Sequence, residues 1–303
     1  MNKRCQRVLV ALVMVWALAG AAFGGVVVYQ TDFGLKDGAV SAMKGVALGV
    51  DSELKLYDLT HEIPPYNIWE GAYRLYQTVA YWPEGTVFVS VVDPGVGTER
   101  RSLVLRTKSG HIIVTPDNGT VTLVAESLGV AEVRQIDEQK HRLPGSDQSY
   151  TFFGRDLYSF VAAQLAGGKL RVEDVGPALD PAQLVKIAYQ KAESREGALF
   201  GTIPVLDVEY GNVWTNIGKE LFDAFQSKFG DEFDVVISKE GKEVFSGRIP
   251  YAETFGSVPE GKPLLYFNSL MNISLAINMD NFAEKNGVSS GPEWTVKVAP
   301  AAK

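Results

Sequence analysis

Between residues 25 and 176, short β-branched runs alternate with amphipathic helical patterns, and a chain with that rhythm has few ways to bury both kinds of face. The fold class it dictates is α/β, a mainly parallel sheet flanked by helices. Val26-Val27-Val28-Tyr29 reads as a buried strand ending at the polar turn Gln30-Thr31-Asp32-Phe33-Gly34. Helical periodicity follows over residues 40–48 and 68–79; in the second, Ile68, Ala72, Leu75 and Val79 share one face. Residues 86–92 (TVFVSVV) form the strongest strand, and residues 102–107 and 111–115 pair as a hairpin around Ser109-Gly110. Residues 156–166 are helical, and Gly167-Gly168 stops them.

Beyond Lys191 the texture changes to short strand patterns joined by turns, such as residues 233–238 and 244–249 around Glu240-Gly241-Lys242. That pattern predicts a separate, smaller C-terminal domain, β-barrel-like in form. Residues 190–197 (QKAESREG) are polar and read as the linker. At the other end, Lys3, Arg4 and Arg7 precede an uncharged apolar run over residues 8–22, with Ala19-Gly20-Ala21 and Ala22-Phe23-Gly24 as small-residue exits. This is the form of a secretory signal peptide, with an uncleaved anchor as the alternative, and it is short for a membrane span. The expected organisation is a signal peptide over residues 1–24, an α/β domain over 25–190 and a β-barrel-like domain over 191–303. The product would be periplasmic or secreted.

Cys5, the one cysteine of the 303 residues, lies in the leader, so the mature chain would lack disulfides, a thiolate nucleophile and cysteine-ligated zinc. The histidines are His61, His111 and His141, and no H-E-x-x-H, G-x-S-x-G or P-loop pattern occurs. Zincins, α/β-hydrolases and Walker-type NTPases are thereby disfavoured. Loss of the three leader cations takes the formal charge from −7 to −10. Such a surface argues against nucleic acid and anionic membranes, leaving a small molecule as the expected partner, with no metal and no separate cofactor.

In an open α/β sheet, ligands bind beyond the carboxyl ends of the strands. Asp32 follows the first strand, Asp93 the TVFVSVV strand, and Asp117-Asn118 the HIIVT strand. One Asp after a strand is ordinarily a turn or cap residue. Three of them, interleaved with Gly34, Gly95, Gly97 and Gly119, point to a shared site, because glycine lets the backbone approach a ligand closely. In Asp93-Pro94-Gly95-Val96-Gly97-Thr98-Glu99-Arg100, a carboxylate and a guanidinium lie seven residues apart across a tight loop. On spacing alone a structural salt bridge is the simpler account; a carboxylate positioned to accept a proton or orient a water is the other. The segment Tyr210-Gly211-Asn212-Val213-Trp214-Thr215-Asn216 sets aromatic faces beside carboxamides, which suits a nucleobase or, equally, a core Trp next to a turn Asn.

Seven segments then occur in one order: residues 31–34 (TDFG), 58–65 (DLTHEIPP), 91–100 (VVDPGVGTER), 116–119 (PDNG), 151–156 (TFFGRD), 210–217 (YGNVWTNI) and 268–269 (NS). In these the chain resembles the S-adenosylmethionine hydroxide adenosyltransferase family, relatives of the fluorinase and chlorinase, from residue 26 to residue 298. The resemblance implies an N-terminal α/β domain, a C-terminal β-barrel domain, and a homotrimer whose substrate lies between one subunit's N-terminal domain and its neighbour's C-terminal domain. It further implies that Asp32 accepts hydrogen bonds from the ribose 2′- and 3′-hydroxyls and that Tyr66 stands beside the substrate. Asp207 would hold the methionine ammonium, with Ser269 near its carboxylate. Asn212 would read adenine, with Tyr210 and Trp214 as apolar neighbours.

The implied reaction is in-line attack of water or hydroxide at the ribose C5′, giving adenosine and L-methionine. The sulfonium already leaves well, so the nucleophile needs the help, since water has a pKa of roughly 15.7. Hydrolase members of the family supply it with an Asp, an Arg and a His. Asp93 and Arg100 match the first two, and Phe153 stands at the position of the His. Halogenases have a different loop where residues 93–97 stand, and a carboxylate at Asp93 repels a halide. The expected function is hydrolysis of S-adenosylmethionine. The alternatives are a degenerate binding protein for S-adenosylmethionine or adenosine, and displacement on another adenosyl compound.

Overall fold

The computed structural model describes residues 25–302; the leader expected over residues 1–24 lies outside the described residues. In order come β1 (Val26–Thr31), α1 (Ala39–Val50), β2 (Lys55–Thr60), α2 (Ile68–Val79), β3 (Val87–Val91), β4 (Ser102–Thr107), β5 (Ile112–Pro116), α3 (Thr122–Leu128) and β6 (Val130–Gln135). The six strands form one sheet in the order β2-β1-β3-β5-β4-β6. Strands β2, β1, β3 and β5 run parallel, while β4 lies antiparallel between β5 and β6. The hairpin read from Ser109-Gly110 is therefore the place where the sheet changes direction.

All five residues of β3 are buried, as expected of a strand covered on both faces. Tyr29 and Val89 pack with Met43 and Ala47 of α1 and with Leu157 on one face. Val28 and Phe88 pack with Leu75 and Val79 of α2 and with Val124 of α3 on the other. After the short α4 (Glu138–His141), the helix predicted over residues 156–166 divides into a π-helical turn, Gly154–Ser159, and α5 (Phe160–Ala166). The wider turn buries Asp156, Leu157, Tyr158 and Ser159 in succession, which an α-helix of 3.6 residues per turn would spread around its circumference. Gly154 fits there because a Cβ would meet Phe33 Cε2 at 3.2 Å and Met43 Sδ at 3.3 Å.

The C-terminal half holds β7 (Glu193–Arg195), β8 (Ala198–Ile203), β9 (Val205–Asp207), β10 (Asn212–Gly218), α6 (Lys219–Asp223), β11 (Glu232–Lys239), β12 (Lys242–Pro250), β13 (Pro263–Phe267), β14 (Asn272–Ile277), α7 (Phe282–Asn286) and β15 (Gly291–Pro300). They form two antiparallel sheets, β12-β11-β15-β8-β7 and β13-β14-β10-β9. Alternate residues such as Phe233, Val235 and Ile237 of β11 point inward and meet Val213, Leu275 and Val298 in one core. The segment read as linker contains β7, an edge strand paired with β8. Its turn is Glu196-Gly197, with φ of 52° and 74°, the positive values a two-residue hairpin turn requires. One helix ties the halves together: from α2, Trp69 Nε1 donates to the Pro204 carbonyl at 2.8 Å and Arg74 Nη2 to the Leu206 carbonyl at 3.0 Å.

Candidate active site

Strand β1 has β2 on one side and β3 on the other, so the connections α1 and α2 cover opposite faces and open a crevice at the carboxyl ends of β1 and β3. Asp32 and Asp93 leave those two ends. With Phe33, Pro65, Tyr66, Phe152 and Phe153 they line a hollow of about 370 Å³.

The Asp32 turn is fastened from below. Thr31 Oγ1 accepts the Phe33 N–H at 3.1 Å and lies 2.8 Å from His61 Nδ1, while His61 Nε2 faces Asp58 Oδ1 at 2.9 Å. Gly34, at φ +67°, donates its N–H to the His61 carbonyl at 2.8 Å. Asp32 Oδ2 accepts the backbone N–H of Tyr66 at 2.9 Å. Tyr66 is held at φ 67°, a strained value for an aromatic residue, and its side chain stands in solvent. A carboxylate has about four acceptor sites, so this bond leaves Asp32 able to receive a diol.

Asp93 and Arg100 form a fork. Arg100 Nε lies 3.1 and 3.0 Å from Asp93 Oδ1 and Oδ2, and Nη2 donates to Oδ2 at 2.6 Å. Their side chains are 5% and 9% exposed. Arg100 Nη1 donates to Ser102 Oγ at 2.9 Å, and that hydroxyl donates to Glu138 Oε1 at 2.7 Å and meets Tyr158 OH at 3.2 Å. Burial disfavours the charge on Arg100, but the Asp93 hydrogen bonds, with Tyr158 and Glu138 nearby, outweigh it and hold its pKa above the ordinary guanidinium value. Burial pushes the Tyr158 phenol far above its usual range.

Phe153, 4% exposed, lies between two cations: its ring centroid is 4.7 Å from the Arg100 guanidinium carbon and 4.8 Å from that of Arg142. Tyr150 lies 4.5 Å beyond Arg142, and Tyr158 lies 5.8 Å from Arg100. Rings and guanidinium groups thus alternate from Tyr150 to Tyr158.

The C-terminal half carries a second hollow, about 650 Å³, lined by Asp207, Tyr210, Asn212, Phe255, Ile277 and Met279 among others. Asn212 is buried and its Nδ2 donates to Asp207 Oδ2 at 3.1 Å. Gly211 closes the turn between them at φ +67°, where a Cβ would fall on the Asn281 carboxamide.

The sequence-derived residues therefore divide. Asp32, Tyr66, Asp93 and Phe153 share the first hollow with Arg100 behind them, whereas Asp207, Tyr210 and Asn212 share the second. Trp214 packs with Trp69, Tyr73, Leu123 and Val205, and Ser269 is exposed in the turn between β13 and β14. Asp117 is taken out of the shared site: Arg101 Nε donates to its Oδ2 at 2.8 Å and the Val185 N–H to its Oδ1 at 3.0 Å. Asn118 Nδ2 donates to the Val92 carbonyl at 2.8 Å. Arg142, Tyr158, Ser102 and Glu138 were not legible as site residues, because three separate segments supply them: β4, α4 with its cap, and the π-helical turn.

The protein thus carries a charged crevice at the switch point of its α/β sheet and a second hollow on its mainly antiparallel C-terminal half. Comparison with known proteins makes the class specific. Residues 27–176 match the model of the SAM hydroxide adenosyltransferase N-terminal domain and residues 201–295 that of its C-terminal domain. The chain belongs to this family of S-adenosylmethionine-using enzymes. The (R)-S-adenosyl-L-methionine hydrolase of Methanocaldococcus jannaschii is 38% identical over 200 residues, 64% of this chain and 68% of that protein. The hydrolase of the same name from Salinispora tropica is 33% identical over 269 residues, 88% of this chain and 96% of its own. A fluorinase of Actinopolyspora mzabensis is 27% identical over 290 residues, 88% of this chain and 95% of its own. Among solved structures, an uncharacterized conserved protein from Thermotoga maritima superposes with a TM-score of 0.79 at 32% identity, covering 90% of this chain and 99% of that one.

Proposed function

We propose that the protein hydrolyses S-adenosyl-L-methionine to adenosine and L-methionine. Water attacks the ribose C5′; the C5′–O bond forms as the C5′–S bond breaks, and sulfur keeps the electron pair and departs as a neutral thioether. The proton released passes to solvent by way of Asp93. The observation that carries this reading is the buried, forked Asp93–Arg100 pair, set in one hollow with Asp32. Arg100 fixes the Asp93 carboxylate, whose remaining lone pairs are available to a water O–H. Asp32 receives the ribose hydroxyls. Asp207 suits the methionine ammonium and Asn212, beside Tyr210, suits adenine; Ser269 and Trp214, the other two residues the resemblance implies, lie outside the lining of that hollow.

The two hollows have no lining residue in common. That separation is consistent with the assembly the family resemblance implies, and we propose a homotrimer in which one subunit's Asp32–Asp93 hollow meets its neighbour's Asp207–Asn212 hollow. Light scattering is expected to give three times the subunit mass, and a strict monomer that binds substrate tightly refutes the shared site.

A second reading, binding of S-adenosylmethionine or adenosine without turnover, is favoured by Phe153, which can neither donate nor accept a proton. Incubating the purified protein with S-adenosylmethionine in ¹⁸O-labelled water decides between them. Adenosine labelled at its 5′-hydroxyl is expected; ligand bound with no adenosine released overturns the hydrolase reading.

A further inference from the structure

We infer that Arg142 is a positioning residue for the Asp93–Arg100 pair, acting through the ring of Phe153; the inference deepens the hydrolase reading and rests on it. Arg142 is as buried as the pair itself, with 7% of its side chain exposed. Its hydrogen bonding is incomplete. Nε and Nη2 donate to the Ser146 and Ser149 carbonyls at 3.2 and 2.6 Å, Asp156 Oδ2 lies 3.9 Å away, and Nη1 has no partner among the described residues. What the guanidinium plane does have is two rings, Tyr150 at 4.5 Å and Phe153 at 4.8 Å.

The mechanics follow from the shape of a guanidinium. Its hydrogen bonds lie in its own plane, so Asp93 and Ser102 resist sliding of Arg100 within that plane but resist tilting out of it only weakly. Tilting is opposed by the rings packed against the group, and of the two beside Arg100 Phe153 is the nearer, at 4.7 Å against 5.8 Å for Tyr158. A phenyl ring makes no hydrogen bond of its own, so its orientation is set by its neighbours: Tyr150, Tyr158 and, as the charged one besides Arg100 itself, Arg142. The same two carbonyl bonds from Arg142 hold the loop of residues 143–150, whose Tyr150 carbonyl lies 3.6 Å from where a Cβ on Gly97 would stand. Arg142 thus braces the ring over Arg100 and the loop over the 93–100 turn at once. A histidine at position 153 would lie between two cations, which oppose its protonation. A phenyl ring meets no such conflict.

The test compares Arg142→Met, Arg142→Lys, Phe153→Leu and the Arg142→Met/Phe153→Leu double variant in steady-state adenosine release, with crystal structures of the parent and of Arg142→Met. Arg142→Met is expected to lower kcat by about 10-fold while KM moves by less than about 2-fold, since the pair acts in the transition state rather than in binding. Arg142→Lys keeps the charge but loses the plane, and is expected to recover little of the loss. In the Phe153→Leu background the Arg142→Met effect is expected to vanish, because the path between Arg142 and Arg100 is already cut. An unchanged kcat in folded Arg142→Met or Arg142→Lys, or effects that simply multiply in the double variant, overturns the inference. Should the parent release no adenosine, the hydrolase reading fails on its own, and the crystal structures still decide: an Arg100 that keeps its fork on Asp93 in Arg142→Met overturns the positioning role.

Discussion

In the N-terminal hollow the protein itself holds the charged groups in place, whereas in the C-terminal hollow it leaves them nearly free. Asp93 shares a fork with Arg100, and Asp32 is pinned to the Tyr66 backbone. Asp207 has one 3.1 Å bond from Asn212, and its neighbours Tyr210 and Met279 are 66% and 81% exposed. The difference suits the two tasks proposed for them. Groups that stabilise a transition state gain from being fixed beforehand, because no reorganisation is then required at the moment of reaction. Groups that grip a flexible amino-acid tail need only be within reach.

The sharpest way to break that division is Asp93→Asn, which keeps the shape and removes the proton acceptor. Turnover is expected to fall about 100- to 10,000-fold while adenosine affinity stays nearly constant by calorimetry. Parent-like turnover would take Asp93 out of the chemistry. The melting temperature is expected to fall as well, since Arg100 is left buried without its counter-charge.

Asp32→Ala is expected to weaken adenosine binding by about 2–3 kcal/mol, because two ribose hydroxyls lose a charged acceptor. Calorimetry with 2′-deoxyadenosine checks the assignment: the variant should discriminate it from adenosine less than the parent does. Asn212→Ala, in the looser hollow, is expected to raise KM about 10-fold through roughly 1.4 kcal/mol of lost binding, with kcat little moved. A kcat loss as large as that of Asp93→Asn would erase the contrast between the two regions.

The smallest effect lies beneath the Asp32 turn. Burial would raise the pKa of Asp58, but hydrogen bonds from Lys44 and His61 outweigh it and hold this carboxyl below its usual value. A lowered folded-state pKa contributes stability that is present above the unfolded value, about 4, and is lost as pH falls through the lower folded value. Asp58→Asn is therefore expected to flatten the acid limb of the melting profile below about pH 4, by less than about 1 kcal/mol because the carboxylate is partly in solvent. A variant whose acid limb matches the parent's would detach this group from the stability of the turn.

The amphipathic face of α2 and the apolar run of β3 were legible because each is buried in a way that its own periodicity announces. Strand β7 was not: all three of its residues are exposed, so no alternation marks it, and only the Glu196-Gly197 turn betrays the hairpin. Asp32 and Asp93 could be noticed at strand ends, but spacing alone made the Asp93–Arg100 pair a structural salt bridge, and only the family resemblance pointed to chemistry there. Arg142 could not, since it meets the Phe153 ring, whose neighbour is Arg100, only once the chain leading into the π-helical turn has folded back over it. Position 153 reads in the sequence as a missing acid–base group. In three dimensions it is occupied by a ring packed between two cations.

The placement of β15 carries a consequence for how the molecule is made. This strand, drawn from residues 291–300, lies between β11 and β8 in the middle of the five-stranded sheet. A ribosome releases the whole N-terminal sheet by residue 135, some 150 residues before that central strand begins. From the time β8 and β11 are made until residue 291 follows, each presents toward the place of β15 an open edge with no neighbour to satisfy it. Vectorial synthesis thus delivers the charged crevice first and its complement last, and chaperones have most to protect in the half that finishes late.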